Sequence, residues 1–415
     1  MLGEVFLRSV RAARGLTEEP AVAVSRSTKA AAVRPGELGN RIPVLDGIRG
    51  VAILLVMVHH MTIMEGRCAL DRFVAGLGEA GWIGVDLFFV LSGFLITGIL
   101  YDSKGSTAYF RNFYARRTLR IFPLYYGVLI FSLLILPQFS HPKAQNFGRI
   151  AGDELWYWLY LSNYAIGFRH AFRHGILDVS WSLAIEEQFY LIWPAIVLWF
   201  DRRKLMGVCV GMVVASFALR LLLLSMDVHP ITIRVITPTR MDGLAMGAWI
   251  ALAARGREGL SPWVPGARIV ALLAGLSVCG IFAVTKLDNM SSLVQGAGYL
   301  AVACFFASVL LLVLGLPPQR AVARILRHPV LTMFGRYSYA LYLFHLPVRA
   351  VIRDTVYRPE QFFTIGSSQL PGQLCFYGIA TAASLVLALL SWNLYEKHFL
   401  KLKERFPVAT AKRSG

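Results

Sequence analysis

Apolar runs long enough to form membrane-spanning helices recur along this chain of 415 residues, and short polar connections separate them. The hydrocarbon core of a bilayer is about 30 Å thick, so a helix that crosses it needs about 20 mostly apolar residues. The pattern predicts an all-α polytopic membrane protein, a bundle of about ten transmembrane helices. The predicted spans are 44–64, 82–101, 121–138, 183–200, 206–225, 235–253, 267–285, 295–314, 336–352 and 375–393.

The composition supports a membrane protein, because 56% of the residues are hydrophobic and 16% are charged. Lys and Arg concentrate in alternate connections, a distribution typical of cytoplasmic loops. Both termini are therefore predicted to be cytoplasmic, with basic tails over residues 1–40 and 397–415. Much of the net charge of +18 then lies at the cytoplasmic rim, where membrane lipids with anionic headgroups are the expected partners and nucleic acid is not.

The cysteines give no sign of metal or redox chemistry. All five are scattered, mostly within apolar segments, and none has the spacing of a metal-binding or disulfide motif. No metal site is expected. The chain also shows no internal repeat.

A basic residue and a histidine in the first apolar segment are the leading candidates for function. Arg49 and His60 are eleven residues apart, so on a helix they lie within about 20° of one another and about 16 Å apart along the axis. Placing arginine at bilayer depth costs at least about 2.5 kcal/mol, so such residues usually face a site, a cavity or a partner. His60 can act as a general base near neutral pH, or it can be a core histidine bonded to a backbone carbonyl.

Two further groups extend this candidate site. Arg116, Arg117 and Arg120 carry guanidinium groups that suit a phosphorylated ligand, although they also fit an anchor at the cytoplasmic face. Glu186 is predicted to contact His60 and to orient it or stabilise its positive charge. The alternative for Glu186 is a helix N-terminal role, since acidic side chains are favourable in a first turn.

Other ionisable residues at membrane depth have structural explanations. Asp86, Arg240 and Asp242 are predicted to form buried ion pairs that lock helices together. His345 either lines the same cavity as His60 or satisfies a kink near Pro347.

Taken together, these segments resemble the integral membrane O-acyltransferases of acyltransferase family 3, from about Asp46 to Glu396. The matching segments are the Arg49-x10-His60 pair, Gly84 to Phe94, Arg116 to Tyr125, Trp181 to Tyr190 and Tyr337 to Pro347. The resemblance implies a membrane acyltransferase domain over 41–396, a cytosolic acyl-CoA donor, and transfer to a hydroxyl of an extracytoplasmic glycan or lipid-linked saccharide. Acetyl-CoA is the expected donor, the bacterial inner membrane the expected location, and a stand-alone chain without a fused hydrolase-like domain the expected organisation.

The resemblance and the residues lead to one mechanistic hypothesis. Arg49 with Arg116, Arg117 and Arg120 holds the CoA phosphates, and the pantetheine arm runs along the bundle towards His60, the catalytic base assisted by Glu186. The acceptor is expected to dock on the loop over 137–179, which contains aromatic and polar side chains suited to sugars: Trp156, Tyr157, Trp158, Tyr160, Asn163, His170 and His174. The alternative for the aromatic residues is an ordinary belt at the membrane interface. The alternatives are a transporter or flippase of a small anionic or sugar-linked substrate, and a membrane scaffold that binds no acyl-CoA.

Overall fold

The computed structural model describes residues 42–138 and 152–407. The basic tail predicted over 1–40, part of the loop over 137–179 and the last eight residues lie outside this part of the chain. Within it the secondary structure is helical, apart from one isolated bridge between Ile365 and Ser368.

Thirteen helices of eight or more residues form the described part of the fold. They are α1 (Pro43–Met61), α2 (Ala69–Glu79), α3 (Ile83–Asp102), α4 (Tyr109–Ile130), α5 (Ser162–Arg169), α6 (Ser180–Trp199), α7 (Arg202–Ser225), α8 (Met241–Ala253), α9 (Val264–Thr285), α10 (Tyr299–Leu314), α11 (Pro329–Arg336), α12 (Ser338–Val351) and α13 (Leu370–Ser391). Four shorter helices connect them: Glu154–Trp158, Pro230–Val235, Ala321–Leu326 and Lys397–Lys401.

Tighter and wider turns extend several of these helices. Short 3-10 turns cover Ala80–Trp82, Leu136–Gln138, Gly175–Leu177, Thr237–Arg240, Ser261–Trp263, Pro359–Gln361 and Leu402–Arg405. Wider π-helical turns cover Phe131–Ile135, Val294–Gly298, Ile352–Val356 and Trp392–Glu396. Three of these π turns directly continue α4, α12 and α13, so those helices gain length at their C-terminal ends.

Each of the ten predicted spans coincides with a helical segment, and seven of the helical segments are long and apolar enough to cross a bilayer. These seven are Pro43–Met61, Ala69–Asp102, Tyr109–Ile135, Arg202–Ser225, Ser261–Thr285, Val294–Leu314 and Leu370–Arg405. The protein is therefore an all-α polytopic membrane protein, and the number ten remains a prediction. The remaining predicted spans correspond to α6, α8 and α12, which are shorter or carry more polar and ionisable side chains.

The start of α4 differs from the prediction. The polar stretch over 113–120 was expected to be a loop before a span beginning at residue 121, but α4 begins at Tyr109. Tyr109 and Phe113 are buried and lie one turn apart on the same face, so tertiary packing stabilises the early turns despite their arginines. The three arginines of this stretch are therefore held on a helix, which fixes where each one points.

The centre of the bundle depends on close helix crossings at glycines. A Cβ atom at Gly93 of α3 would lie 1.9 Å from the carbonyl oxygen of Leu244 in α8, and one at Gly247 of α8 would lie 1.9 Å from the carbonyl oxygen of Val90. Small residues let helices in membranes approach closely and pack through their backbones. The α3–α8 crossing thus has no room for a larger residue.

Gly93→Ala is expected to destabilise the protein by about 1–3 kcal/mol, the usual effect of overpacking a close contact. Thermal unfolding in detergent measures this as a lower Tm. The matched control is Gly378→Ala in α13, where a Cβ atom would meet no atom within 4 Å and helix propensity favours alanine. A Gly93→Ala protein as stable as the parent would contradict the packing described here.

Two buried ion pairs join α3, α7 and α8, as the sequence predicted for charges at this depth. Arg240 Nη2 lies 2.6 Å from Asp86 Oδ1, and Arg220 Nη1 lies 2.7 Å from Asp242 Oδ2. The Arg240 guanidinium also stacks 3.8 Å above the Tyr299 ring. Asp242 pairs with Arg220 rather than with its sequence neighbour Arg240, so each pair connects two different elements of the chain.

Candidate active site

A cavity of about 520 Å³ lies at the end of the bundle where α1 begins. We call it the arginine cavity. Helices α1, α3, α4 and α6 surround it, together with the C-terminal segment over residues 392–407. Five basic and four acidic side chains line it: Arg49, Arg117, Arg120, Arg336, Lys403, Asp46, Glu186, Glu187 and Glu396. Three of the four arginines predicted to bind the donor therefore face one space.

Arg116 is the exception among the predicted donor-binding arginines. Its Nη1 donates to the carbonyl oxygens of Lys403 at 3.1 Å and Phe406 at 2.9 Å. One turn earlier on the same face, Asn112 Nδ2 donates to the carbonyl of Pro407 at 2.8 Å. Arg116 does not line the cavity and fastens the C-terminal segment to α4, and its role in donor binding stays a prediction.

Glu186 lies in the arginine cavity, and the predicted contact with His60 is not formed. Glu186 Oε2 accepts a hydrogen bond of 2.7 Å from Tyr190 Oη, and Ser92 Oγ donates to the same hydroxyl. Helix α6 begins at Ser180, so Glu186 also lies beyond the first turn, and the N-terminal alternative is wrong as well. The position of Glu186 in α6 turns its side chain towards Arg49 at one end of α1, whereas His60 lies at the other end.

A second cavity, of about 430 Å³, contains His60 at the opposite end of α1. We call it the histidine cavity. Its ionisable lining residues are His59, His60, Asp178, Arg234, Arg349 and Arg353. Arg49 and His60 therefore lie in different cavities, at the two depths that their spacing along one helix face predicts.

His60 has a histidine partner that sequence reasoning left open. His345 Nε2 of α12 lies 3.0 Å from His60 Nδ1, and His345 Nδ1 lies 3.1 Å from the carbonyl oxygen of Leu341. His345 is completely buried. Arg349, which the sequence analysis missed, lines the same cavity one turn further along α12. Its i+4 spacing from His345 is a sequence signal by which it could have been found.

The loop predicted to dock the acceptor contributes to the histidine cavity through other residues than those expected. Tyr157 and Asn163 are completely buried, and Asn163 Nδ2 donates to the carbonyl of Val235, so these two side chains hold the structure together. Tyr160 and Trp158 line a separate cleft beside α4. Phe172, Ile176, Asp178 and Val179 of the same loop line the histidine cavity instead.

The remaining predicted docking residues also have structural contacts. His170 stacks on His229 with ring centroids 4.6 Å apart, and its Nδ1 lies 2.9 Å from Thr232 Oγ1. His174 Nε2 lies 3.6 Å from Asp153 Oδ2, and burial lowers the pKa of His174. Trp156 packs edge-on against Phe168, with centroids 5.9 Å apart. None of these three side chains lines the histidine cavity in the part of the loop that the structure describes.

Asp178 brings an acidic group to the histidine cavity. Burial raises its pKa to about 6, although backbone N–H groups of His174 and Gly175 act in the opposite direction. Near neutral pH the carboxylate is therefore the major form, with a protonated fraction that grows as the pH falls towards 6. Asp178 and the arginines of this cavity provide both hydrogen-bond acceptors and donors for a polar ligand.

A tyrosine contacts lining residues of both cavities. Tyr342 Oη donates to the carbonyl of Val179 at 3.1 Å and lies 2.6 Å from Ser182 Oγ. Val179 lines the histidine cavity, while Phe88, whose ring stands edge-on to Tyr342 at 6.3 Å, lines the arginine cavity. Among the described residues the two cavities share no lining side chain, and Tyr342 contacts residues that line each of them.

The described residues contain no group of three His, Cys, Asp or Glu side chains placed to hold a metal ion. All five cysteines are free, and two of them, Cys279 and Cys375, are exposed on the bundle surface. The polar side chains that line the two cavities carry imidazole, carboxyl, hydroxyl, guanidinium and ammonium groups.

Comparison with known proteins gives a consistent set of relatives. A family model described as an acyltransferase domain matches residues 42–392. The chain is 30% identical over 323 residues to the peptidoglycan O-acetyltransferase OatA of Listeria monocytogenes, covering 74% of this chain and 49% of the relative. It is 29% identical over 324 residues to the putative peptidoglycan O-acetyltransferase YrhL of Bacillus subtilis, covering 74% and 48%.

A putative O-acetyltransferase of Staphylococcus aureus is 26% identical over 375 residues, which are 87% of this chain and 57% of the relative. The chain thus spans about half the length of the curated relatives that it matches. No solved structure matches the chain.

Proposed function

Since the chain belongs to acyltransferase family 3, we propose that it transfers an acetyl group from cytosolic acetyl-CoA to a hydroxyl of an extracytoplasmic glycan, with peptidoglycan as the first candidate acceptor. The observation that carries the proposal is the pair of cavities at the two ends of α1, one with Arg49 and the other with His60. A transferase that joins substrates from two sides of a membrane needs such an arrangement. Family membership favours transfer over the transporter alternative.

The arginine cavity is the donor site in this proposal. Arg49, Arg117 and Arg120 supply guanidinium groups, which bind phosphate oxygens through paired, charge-assisted hydrogen bonds. Lys403 adds an ammonium from the C-terminal segment. The connections rich in Lys and Arg favour the cytosolic side of a bacterial inner membrane for this end of α1, where acyl-CoA is available.

The histidine cavity is the acceptor site. His60 removes the proton from the acceptor hydroxyl, and the oxygen attacks the thioester carbonyl carbon. The carbon–sulfur bond breaks, and the CoA sulfur leaves as a thiol with the proton returned by His60. Near neutral pH an imidazole suits this exchange because its ordinary pKa lies close to the working pH.

The hydrogen-bonded side chains of Glu186, Tyr190 and Ser92 line the donor site next to Arg49. Glu186 is held by Tyr190 Oη at 2.7 Å, which orients its carboxylate within the cavity. An acidic group near Arg49 fixes the guanidinium by charge attraction and leaves it free to bind phosphate with its remaining N–H groups. In this proposal Glu186 acts on the donor side and not on His60.

In this proposal the thioester must pass the side chains of Tyr342 and Phe88 to reach His60. Arg49 and His60 are separated by about 16 Å along α1, so a donor whose phosphates bind near Arg49 needs an extended arm to present its acetyl group at His60. Tyr342 and Phe88 occupy that route. The Tyr342 side chain therefore swings aside when the donor binds, and it otherwise keeps water from the thioester.

Tyr342→Ala is expected to raise acetyl-CoA hydrolysis several-fold in the absence of any glycan, because water in the histidine cavity then reaches the thioester. Release of free CoA from acetyl-CoA, followed with a thiol reagent, measures this leak. The control is Tyr342→Phe, which keeps the ring and loses only the hydroxyl contacts to Val179 and Ser182. Equal hydrolysis by the alanine variant and the parent would show that Tyr342 does not separate the cavities.

The proposed function is tested with purified protein in liposomes, acetyl-CoA labelled in the acetyl group, and polymeric peptidoglycan. The expected result is labelled glycan, from which mild alkali releases the label because the acetyl group is bound as an ester. Binding of acetyl-CoA is measured in parallel. Donor binding without glycan labelling would exclude peptidoglycan as the acceptor, and absence of donor binding would overturn the acyl-CoA proposal.

A further inference from the structure

We propose that His345 is a positioning residue that fixes the tautomer of His60, so that Nε2 of His60 carries the lone pair that accepts the proton. The inference rests on the proposed function for the role of His60, but its geometric part stands on the contacts of the two rings. It assigns a purpose to a completely buried histidine outside the predicted site.

The first step concerns the proton on His345. Its Nδ1 lies 3.1 Å from the carbonyl oxygen of Leu341, one turn earlier in α12. A carbonyl oxygen only accepts hydrogen bonds, so Nδ1 must carry the hydrogen. A neutral imidazole has a single N–H, and the other nitrogen, Nε2, is then an acceptor.

The second step passes this constraint to His60. His345 Nε2 lies 3.0 Å from His60 Nδ1. Two nitrogen lone pairs do not form a hydrogen bond, so His60 Nδ1 must be the donor. In neutral His60 the remaining nitrogen, Nε2, is then unprotonated, and within the described residues it has no protein hydrogen-bond partner.

The third step concerns the charge of the two rings. A cationic His345 would donate through both nitrogens and reverse the direction of the bond to His60. Burial disfavours a charged ring, and Arg234 and Arg349 line the same cavity as further positive charges. Asp178 is the acidic residue that lines this cavity, His59 packs edge-on against His60, and the side-chain hydrogen bonds of His60 and His345 are to one another and to a carbonyl. The neutral pair is therefore the resting form.

The resulting chain of hydrogen bonds runs from His60 through His345 to the backbone of α12. It serves the purpose that a carboxylate serves in a hydrolase triad, where the third group holds the imidazole in the tautomer that can accept a proton. When His60 accepts the acceptor proton at Nε2, its Nδ1–H still donates to His345. The proton then leaves from Nε2 to the CoA sulfur, and His345 ends in the protonation state in which it began.

The test compares His345→Leu with His345→Gln. Leucine removes the acceptor, so the His60 tautomer is no longer fixed, whereas the glutamine Oε1 can accept from His60 Nδ1. We expect kcat of the leucine variant to fall about 100-fold, less than the about 10⁴-fold loss when a charged orienting group is replaced in a triad. The KM for acetyl-CoA should change by less than about twofold, because the donor site is in the other cavity, and glutamine should restore most of kcat.

Nitrogen NMR of ¹⁵N-histidine-labelled protein in nanodiscs reads the tautomer independently of activity. The expected parent spectrum shows His60 with a protonated Nδ1 and an unprotonated Nε2, and the leucine variant shows a mixture of tautomers. A His60 tautomer that is unchanged in the leucine variant, or a kcat within twofold of the parent, would overturn the inference. Because the NMR result needs no substrate, failure of the proposed acetyl transfer is distinguishable from failure of the His345 assignment.

Discussion

Replacing His60 with alanine is expected to reduce acetyl transfer by about 10²–10⁴-fold, the usual contribution of a positioned general base. The variant keeps the arginine cavity, so its affinity for acetyl-CoA should match that of the parent. The measurement is the initial rate of label transfer to glycan at saturating donor, with donor binding followed separately.

His229→Ala is the matched control for this prediction. His229 is an exposed histidine that lines neither cavity and stacks on His170. Its removal should leave the transfer rate unchanged. A His60→Ala enzyme that transfers acetyl groups at the parent rate would exclude His60 as the base. The histidine cavity would then need another proton acceptor, and the carboxylate of Asp178 is the next candidate.

Replacing Arg49 with alanine is expected to weaken acetyl-CoA binding by about 10–100-fold. A hydrogen bond to a charged group contributes about 1.5–3 kcal/mol, and Arg49 lines the arginine cavity on the helix that carries His60. The loss should appear as a higher Kd in calorimetric titration of CoA, and as a higher KM for acetyl-CoA in the transfer assay.

Arg203→Ala is the control for charge alone. Arg203 is exposed at the start of α7, outside the arginine cavity, so its removal lowers the net charge equally without touching the donor site. An Arg49→Lys variant adds a test of geometry, because lysine keeps the charge but cannot bind two phosphate oxygens at once. Equal CoA affinity of the Arg49→Ala protein and the parent would remove Arg49 from the donor site.

Helix-level features were predictable from the sequence because they depend on local periodicity. The ten apolar segments are all helical, and the eleven-residue spacing places Arg49 and His60 in cavities at opposite ends of α1. Both features follow from local helix geometry, a rotation of about 100° and a rise of about 1.5 Å per residue, which does not depend on tertiary contacts. The buried pairing of Asp86 with Arg240 was predictable for a similar reason, since isolated charges at this depth need partners.

Contacts between distant segments were not predictable in this way. His60 and His345 are 285 residues apart, and only the folded bundle brings their rings together. Glu186 was predicted to contact His60, but α6 begins at Ser180, so Glu186 lies more than one turn inside the helix and lines the arginine cavity. Arg116 bonds to the backbone of residues 403 and 406, partners that are too far along the chain for a local pattern to reveal.

The most direct test of the central claim is a sided transfer assay in proteoliposomes. Protein orientation is mapped by the accessibility of a tag after residue 415, and acetyl-CoA and peptidoglycan fragments are supplied on chosen sides of the sealed membrane. The account predicts ester formation on the glycan when the donor is on the side of the tag and the glycan is on the opposite side. Transfer that occurs only when donor and glycan are together on one side would contradict it.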